Sequence, residues 1–401
     1  VNLIDGTGSN IITKTDVLIE NGRFKTLNVD LKENDDTEVI DGAGHYMLPG
    51  MIDTHVHMMM ELKPIEQRIT TPFSYNFYEA AKHLNTVLNA GVTTVRDALG
   101  SDLGLKKAID DGLVDGPRMQ ISVNALTITG GHGDGYNYSG VVTDMLQAHP
   151  GMPSGVCDGV EEVRKKTREM LRAGADVIKV HATGGVSSPT DHPKFTQFSL
   201  DELKVIVEEA QFRNGVKVMA HAQGLEGVRQ CVEAGIHSIE HGIYLDDEVC
   251  ERMKTQGTYL VPTLLAPVSV LEFADELGMA QTSIDKSKEV IEIHKESFTR
   301  AYKAGVKIAM GTDAGVFKHG TNLRELELMV ECGMTPMDAI VASTKTAAEC
   351  MGYTDLGLIK EDYVADFILT EENPLDDIGI LKTNEKIKVV AKDGTVFKNI
   401  M

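Results

Sequence analysis

Short apolar runs rich in β-branched residues alternate with longer segments of helical period between about residue 50 and residue 350. Many of the helical segments end at Ala-Gly or Asn-Gly, where glycine allows the chain to leave a helix in the left-handed conformation. Eight β/α repeats favour a (β/α)8 barrel, a TIM barrel of the α/β class, over an open sheet. The predicted strands are residues 51–57, 93–98, 119–125, 177–182, 217–222, 238–241, 259–263 and 307–312.

The two ends of the chain predict short strands without intervening helices. The turns Asn21-Gly22 and Asp393-Gly394 each join two such strands, as in β-hairpins. Neither end is long enough to close a core alone, so we expect one small β-sandwich built from both termini. The predicted domains are a β-sandwich of residues 1–48 and 354–401 and a barrel of residues 49–353. Strands are predicted at 16–20, 23–28, 38–41, 365–369, 387–391 and 394–398, and helices after the barrel at 323–332 and 336–351.

Composition restricts the possible partners and compartment. The net charge of −21 argues against binding to nucleic acid or to an anionic membrane. No run of 18 apolar residues is present, which argues against a membrane span. The five cysteines are scattered and contain no C-x-x-C, as expected for free thiols in a reducing compartment. We therefore expect a cytoplasmic protein, with a removed leader as the alternative.

Polar residues capable of binding metal stand at the ends of the predicted strands, where barrel enzymes place their active sites. Two of them, in the sequence His55-Val-His57, lie two apart on a strand and therefore point to the same face. Imidazole and carboxylate are zinc ligands. The six residues are His55, His57, Lys179, His221, His241 and Asp313.

Lys179 is unusual because it lies in the apolar sequence DVIKVHA of residues 176–182, where a buried ammonium is costly. Three interpretations are open. Its side chain reaches solvent, pairs with a carboxylate such as Asp313, or loses its charge and reacts with carbon dioxide to form a carbamate. The five ligand-type residues at the other strand ends favour the carbamate, whose two oxygens can bridge two metal ions.

These motifs resemble the amidohydrolase superfamily in its two-metal form. The resemblance rests on residues 49–57 (PGMIDTHVH), on Lys179, His221 and His241, and on residues 311–313 (GTD). It extends over nearly the whole chain, because residues 357–369 and 373–375 are similar to the β-sandwich domain of that family. Within the superfamily the chain is most similar to the dipeptidase and carboxypeptidase branch, including prolidase-like members and a zinc-dependent arginine carboxypeptidase.

The resemblance implies two divalent ions, Zn²⁺ by preference, and a mechanism of amide hydrolysis. Paired ions lower the pKa of a bridging water and polarise a carbonyl. Asp313 is then expected to transfer a proton from the nucleophile to the leaving amine, and His132 in the loop 129–134 (TGGHGD) to stabilise the oxyanion. The implied ligands are His55, His57 and Asp313 for the more buried ion, His221 and His241 for the other, and carboxylated Lys179 for both.

Loop residues are expected to contact the substrate. The glycine-rich loop 182–191 (ATGGVSSPTD) lacks the lysine of a phosphate-binding loop and is expected to bring its backbone, at Gly185 and Val186, close to the substrate. Gln223 stands where Xaa-Pro-specific relatives carry tyrosine. Tyr244 is a further candidate contact. His181 is expected to face away from the lysine and to pack between the barrel and its helices.

We therefore expect a binuclear hydrolase that releases a C-terminal residue from a small peptide, with a preference for Xaa-Arg or Xaa-Lys. Gln223, the acidic net charge and the acids Glu61, Asp134 and Asp191 support a cationic side chain. The alternatives are a prolidase, a cyclic amide hydrolase of the imidazolonepropionase type and a non-catalytic binding scaffold. A homo-oligomer is expected because the barrel helices of such enzymes commonly pair.

Overall fold

A ring of parallel strands surrounded by helices forms the centre of the molecule. The structure, a computed structural model, describes residues 1–28, 31, 37–61, 63–144, 146–186, 188, 191–274 and 281–401. The strands are β1 Asn2–Leu3, β2 Asp16–Glu20, β3 Arg23–Asn28, β4 Tyr46–Pro49, β5 Met51–Val56, β6 Val92–Asp97, β7 Arg118–Ile121, β8 Ala125–Leu126, β9 Val177–His181, β10 Lys217–Ala222, β11 Ser238–His241, β12 Tyr259–Val261, β13 Lys307–Ile308, β14 Phe367–Thr370, β15 Ile387–Lys392 and β16 Thr395–Asn399. The helices are α1 Ile65–Thr70, α2 Tyr75–Asn89, α3 Leu103–Asp110, α4 Gly159–Arg172, α5 Leu200–Phe212, α6 Leu225–Ala234, α7 Asp247–Gln256, α8 Leu265–Glu272, α9 Gln281–Ala304, α10 Arg324–Glu331, α11 Pro336–Ala342 and α12 Lys345–Met351, with short 3₁₀ turns at Ile378–Lys382 and Asn384–Lys386.

The barrel strands follow one another in chain order. Strands β5, β6 and β7 pair in parallel, and β8 to β13 form a second parallel series. A parallel bridge between Val56 and Ala314 joins the first barrel strand to the segment after the last one. The third predicted strand is divided into β7 and β8. Together with the helices between them, these strands confirm the predicted (β/α)8 barrel.

The sequence signals that end the helices act as predicted. Gly235 follows α6 in the left-handed conformation, with φ of 85°, which other residues adopt only at a cost. At the other end of a helix, Ser199 and Glu202 form a capping box that satisfies backbone N–H groups at the start of α5. Strand β5 is buried along its whole length, as expected for a strand enclosed by helices on one side and by barrel packing on the other.

One predicted helix is divided in two. Residues 336–351 form α11 and α12, separated at Ser343 and Thr344. The backbone carbonyl of Ser343 accepts a hydrogen bond of 2.7 Å from the N–H of Ile52 in β5, and the carbonyl of Ala342 accepts one from Met310. In a continuous helix these two carbonyls would accept hydrogen bonds from N–H groups of the next helical turn; here they accept bonds from the barrel instead. The strand predicted at 38–41 does not form, and the next strand in the chain is β4 at Tyr46–Pro49.

Both termini contribute to a separate β domain. Strand β1 pairs with β4, and β4 continues through β14, β15 and β16 in one sheet, while β2 and β3 form the predicted hairpin. Phe24 of the hairpin packs against Phe367 of the sheet, with ring centroids 6.5 Å apart. A small apolar core of its own supports the domain. The residue boundaries 48/49 and 353/354 stay a prediction. No helix in the described residues is long and apolar enough to cross a membrane.

An ion pair links the barrel to the β domain. Arg118 at the start of β7 donates to the nearly buried carboxylate of Asp366, at 2.7 Å, and also contacts Asp393 at 2.5 Å. Asp366 precedes β14, and its carboxylate also accepts the backbone N–H of Asp393. A buried carboxylate without its cation is costly. The pair therefore fixes the edge of the β domain against the barrel.

We expect Arg118→Met to lower the free energy of unfolding by about 1–3 kcal/mol, because it leaves the Asp366 carboxylate without its cation. A urea denaturation series would measure the change. Lys107→Met is the matched control, since Lys107 pairs with Asp111 on an exposed helix surface, and its midpoint should not move. Equal midpoints for the two variants would contradict the proposed role of the pair.

Candidate active site

The six residues predicted from the strand ends meet in one cavity. His55 ends β5 and His57 follows it, while Lys179, His221 and His241 lie on β9, β10 and β11. Asp313 follows β13. All six line a cavity of about 540 Å³. The strands bring them together because the carboxyl ends of barrel strands open onto the same face of the barrel.

Several donor atoms converge on the Asp313 carboxylate. The Nε2 atoms of His57 and His55 lie 2.9 Å and 3.3 Å from Oδ1 of Asp313. Ligand atoms of His55, His241 and Asp313 all lie within 4.8 Å of one another. The Nζ atom of Lys179 is 3.3 Å from Nε2 of His55. This spacing matches a centre whose ligands face a common point.

Each of the four histidines uses one ring nitrogen for a contact with a group outside the proposed ligand set. The other ring nitrogens of His55 and His57 lie next to Asp313. This division is typical of metal-binding histidines, because the outer contact sets the tautomer and the orientation of the ring. The contacts are His55 Nδ1 to Glu240 at 2.7 Å, His57 Nδ1 to the Leu99 carbonyl at 3.2 Å, His241 Nδ1 to the Thr263 hydroxyl at 2.6 Å and His221 Nε2 to the Gly184 carbonyl at 3.0 Å.

Glu240 supports His55 from inside the barrel. Its carboxylate is fully buried and accepts hydrogen bonds from Arg96, at 3.1 Å, and from the Ser238 hydroxyl, at 2.6 Å. Arg96 in turn donates to the Thr54 carbonyl. Burial opposes ionisation of Glu240, but the charge of Arg96 and the hydrogen bond from His55 outweigh it and lower the pKa of the Glu240 carboxyl to about 2.

Burial and hydrogen bonds shift the pKa values of several groups in the site. Burial lowers the pKa of His221 and His241 well below the usual value, so both rings are neutral at pH 7. Burial also lowers the pKa of the Lys179 ammonium to about 8, against the opposing effect of Glu240 and Asp313. For Asp313, burial raises the pKa, but the hydrogen bonds from His55 and His57 outweigh it and hold the pKa well below its usual range.

Two ligand candidates have a strained backbone. His241 and Asp313 adopt φ of 74° and 68°, a region that residues with a side chain rarely occupy, and Thr263, which contacts His241, adopts φ of 53°. Strain of this kind persists where surrounding structure over-determines the conformation, and it is concentrated at functional sites. Glu240 contacts His55 in the barrel interior and His241 lines the cavity, although neighbours on a regular strand point to opposite faces.

The residues present fit a metal centre. Neutral imidazoles, an ionised carboxylate and a buried lysine of lowered pKa are the donors expected for divalent ions of the zinc type. The group of possible ligands whose atoms lie closest together is His55, His241 and Asp313. The rings of His55 and His241 are adjacent, with centroids 5.2 Å apart. The neutral amine is the form of lysine that reacts with carbon dioxide, and the lowered pKa of Lys179 increases its fraction.

His132 lies over the same cavity. Its ring stacks on that of His221, with centroids 4.4 Å apart, and its Nδ1 lies 3.2 Å from the Asp191 carboxylate. A Cβ atom on Gly185 would lie 2.3 Å from the His132 ring, so only glycine allows this approach. Gly185 therefore positions His132, and its N–H and carbonyl contact Asp191 and Lys286 rather than the cavity.

Of the other residues predicted to contact the substrate, some line the cavity and one does not. Gln223 and Val186 line the cavity, and Oε1 of Gln223 is buried without a hydrogen-bond partner among the described residues. Tyr244 does not line it: its side chain lies in a neighbouring cleft, with the hydroxyl 3.4 Å from Glu289. The chain turns out of the barrel at Gly242, with φ of 60°, and carries Tyr244 away. Of the 182–191 loop, residues 187, 189 and 190 lie outside the described residues.

The expectation for His181 was wrong. His181 lies two residues after Lys179 on β9, so both side chains point to the same face. It lines the cavity and packs edge-on against His132, with centroids 5.1 Å apart. Sequence reasoning also missed Glu240 and Arg96, although an acid in an apolar barrel strand was a signal for a buried pair.

Most of the acids that supported a cationic substrate have partners within the protein. Asp191 contacts His132 and the N–H of Gly185. Both carboxylate oxygens of Asp134 accept backbone N–H groups, although Asp134 lines the cavity. Glu61 does not line the cavity. Apolar side chains occupy much of the wall, among them Leu99, Leu146, Met152, Val156, Ile243 and Val270.

Comparisons with known proteins agree with the geometry. The family model described as "Amidohydrolase family" matches residues 46–397. Ochratoxinase of Aspergillus niger is 37% identical over 366 residues, which cover 88% of this chain and 75% of that protein. The solved structure of an Xaa-Pro dipeptidase with bound methionine has a TM-score of 0.90 and 34% identity, covering 99% of this chain and 98% of that one. A prolidase complexed with N-methylphosphonate-L-proline has a TM-score of 0.91 and 32% identity, with the same coverage.

We expect Glu240→Gln to weaken metal binding by about 10- to 100-fold, because His55 loses its charged hydrogen-bond partner. Competition with a chromogenic chelator would measure the affinity, and circular dichroism would establish that the variant is folded. If the unpaired Arg96 unfolds it, the double variant Arg96→Met, Glu240→Gln replaces it. Ser238→Ala, which keeps the Glu240 charge, is the control and should have a smaller effect. Unchanged affinity in a folded Glu240 variant would contradict this role.

Proposed function

The chain belongs to the amidohydrolase family, a family of hydrolases, and we propose that it hydrolyses the amide bond of a dipeptide or an N-acyl amino acid. The released C-terminal residue has an apolar side chain, and Xaa-Pro substrates fall within this class. The observation that carries the proposal is the convergence of His55, His57 and Asp313, with Lys179 buried beside them, on one cavity.

Two divalent ions complete the proposed site. His55, His57 and Asp313 would hold one, His221 and His241 would hold the other, and Lys179, as a carbamate, would contribute ligand atoms. When bound, such ions supply Lewis acidity and lower the pKa of a water molecule. Zn²⁺ is our preferred metal, although this donor set also suits Mn²⁺, Co²⁺ and Fe²⁺.

The side chains of the protein supply the proton transfers and the orientation. Asp313, whose pKa is held well below its usual range by His55 and His57, accepts the proton of the attacking water and delivers it to the leaving amine. His132, oriented by Asp191, stabilises the negative charge that develops on the carbonyl oxygen. Gln223 offers its unpartnered Oε1 as a hydrogen-bond acceptor for the substrate.

The wall of the cavity supports a substrate with an apolar part. Many of its lining side chains are apolar, and Asp191 and Glu61 do not face the cavity as free acids, which weakens the preference for Xaa-Arg or Xaa-Lys. The names of the similar proteins, Xaa-Pro dipeptidase, prolidase and ochratoxinase, support an amide substrate with an apolar part. A volume of about 540 Å³ exceeds what a small cyclic amide requires.

We expect Asp313→Asn to reduce kcat by at least about 10³-fold while the protein keeps much of its metal, because proton transfer is lost. Lys179→Met is expected to reduce the metal content from two ions per chain to one or none. Metal analysis and hydrolysis assays on the same preparations measure both effects. A binding scaffold would instead retain ligand affinity in the Asp313 variant with no turnover in the wild type.

The substrate class is tested with zinc-loaded protein and matched dipeptides. We expect Leu-Pro or Leu-Phe to have a kcat/KM at least about tenfold above that of Leu-Arg, because burial of an apolar side chain in the cavity is favourable and burial of a guanidinium is costly. Release of the C-terminal amino acid is measured by chromatography. A higher kcat/KM for Leu-Arg would overturn the apolar preference and support the arginine carboxypeptidase prediction.

A further inference from the structure

Arg68 is a cation in the wall of the active-site cavity. It lies on α1, the short helix after the histidine-bearing strand β5, and lines the same cavity as His55, Asp313 and Gln223. Among the described lining residues, the other positively charged side chain is Lys179, which the proposed metal centre uses. Arg68 is thus the cation that remains for a ligand.

The guanidinium of Arg68 has no acidic partner in the described residues. Its contacts there are two backbone carbonyls of the 127–158 loop, between β8 and α4: Nη2 is 3.0 Å from Asp144 O and 3.4 Å from Thr143 O. Burial lowers the pKa of Arg68, and no neighbouring acid opposes this effect. In contrast, Arg96 and Arg118 each contact a carboxylate at 3.1 Å or less.

We propose that Arg68 binds the free α-carboxylate of the substrate and thereby selects peptides that end within the cavity. This inference rests on the proposed function and specifies the end of the substrate that the cavity recognises. Within the part of the chain that the structure describes, the Nε and Nη1 groups of Arg68 donate no hydrogen bond, so they are free to contact a ligand, and a guanidinium matches the two oxygens of a carboxylate.

The charges of the cavity favour this assignment. A C-terminal carboxylate that enters a chain of net charge −21 needs a local cation, and the acids Asp134 and Asp144 also line the wall. Two backbone N–H groups already contact the Asp134 carboxylate, which reduces its repulsion of a second anion. Recognition of a carboxylate at Arg68 would restrict the enzyme to removal of a terminal residue and exclude internal peptide bonds.

A merely structural role for Arg68 makes a different prediction. The two carbonyl contacts tie α1 to the 127–158 loop, so a purely structural role predicts that loss of Arg68 disturbs the cavity for every substrate alike. A carboxylate-binding role changes only those substrates that carry the carboxylate. Paired substrates that differ in this group therefore separate the two roles.

The experiment compares Leu-Pro with its C-terminal carboxamide on the wild type and on Arg68→Gln, both loaded with zinc. We expect the wild type to prefer the free acid, and Arg68→Gln to raise KM for the acid by about 10- to 100-fold with little effect on the amide. Arg68→Lys should retain part of the preference. Lys63→Gln is the matched control: Lys63 is a nearby cation that pairs with Glu79 and does not line the cavity, so it should leave the preference unchanged.

Binding is measured separately from turnover. Calorimetric titration of Asp313→Asn, with and without Arg68→Gln, gives the Kd of the intact acid and amide. A loss of acid binding confined to the Arg68 variant supports the inference even if the wild type cleaves neither compound, an outcome that would overturn the proposed function alone. An equal loss for acid and amide, or the same loss with Lys63→Gln, overturns the assignment of Arg68.

Discussion

The fully buried carboxylate of Glu240 is the constraint on which the site depends. It joins Arg96 of β6, His55 of β5 and Ser238 of its own strand β11, and so ties together two separate stretches of the barrel wall. Burying an ion pair is costly unless its hydrogen bonds are complete. Here both carboxylate oxygens have partners, and the guanidinium of Arg96 has further contacts to Thr54 and Cys350.

This arrangement places the charged groups at two depths of the barrel. The ion pair of Glu240 and Arg96 occupies the barrel interior, and the neutral histidines and Asp313 face the cavity above it. Burial lowers the pKa of His221 and His241 and keeps their nitrogen lone pairs available for ligation. It also lowers the pKa of Lys179 to about 8, which increases the fraction of neutral amine that carbamate formation requires. The strained backbone at Asp313 is tolerated because barrel closure and the contacts with His55 and His57 hold it in place.

The prediction from sequence succeeded where local rules coincide with barrel geometry. The hydrophobic periods of the strands and helices, and the glycines that follow the helices, identified the eight repeats. The ends of the predicted strands identified six residues that the structure brings into one cavity. One failure came from a contact distant in sequence. The carbonyl of Ser343 bonds to β5 and divides a helix of regular period. The turn at Gly242 carries Tyr244 into another cleft, and His181 was assigned to the wrong face although its spacing from Lys179 already placed it on the same one.

The sequence by itself determined the fold, the family resemblance and the residues able to hold metal, because these depend on periodicity and on residue types at fixed positions of a repeated unit. Only the tertiary structure decided which groups remain free in the cavity. Asp191 contacts His132 of another loop, and both carboxylate oxygens of Asp134 accept N–H groups of its own loop. Among the described residues, Gln223 and Arg68 retain unsatisfied hydrogen-bonding groups. Substrate recognition depends on such groups, and their availability is set by neighbours that lie far apart in the chain.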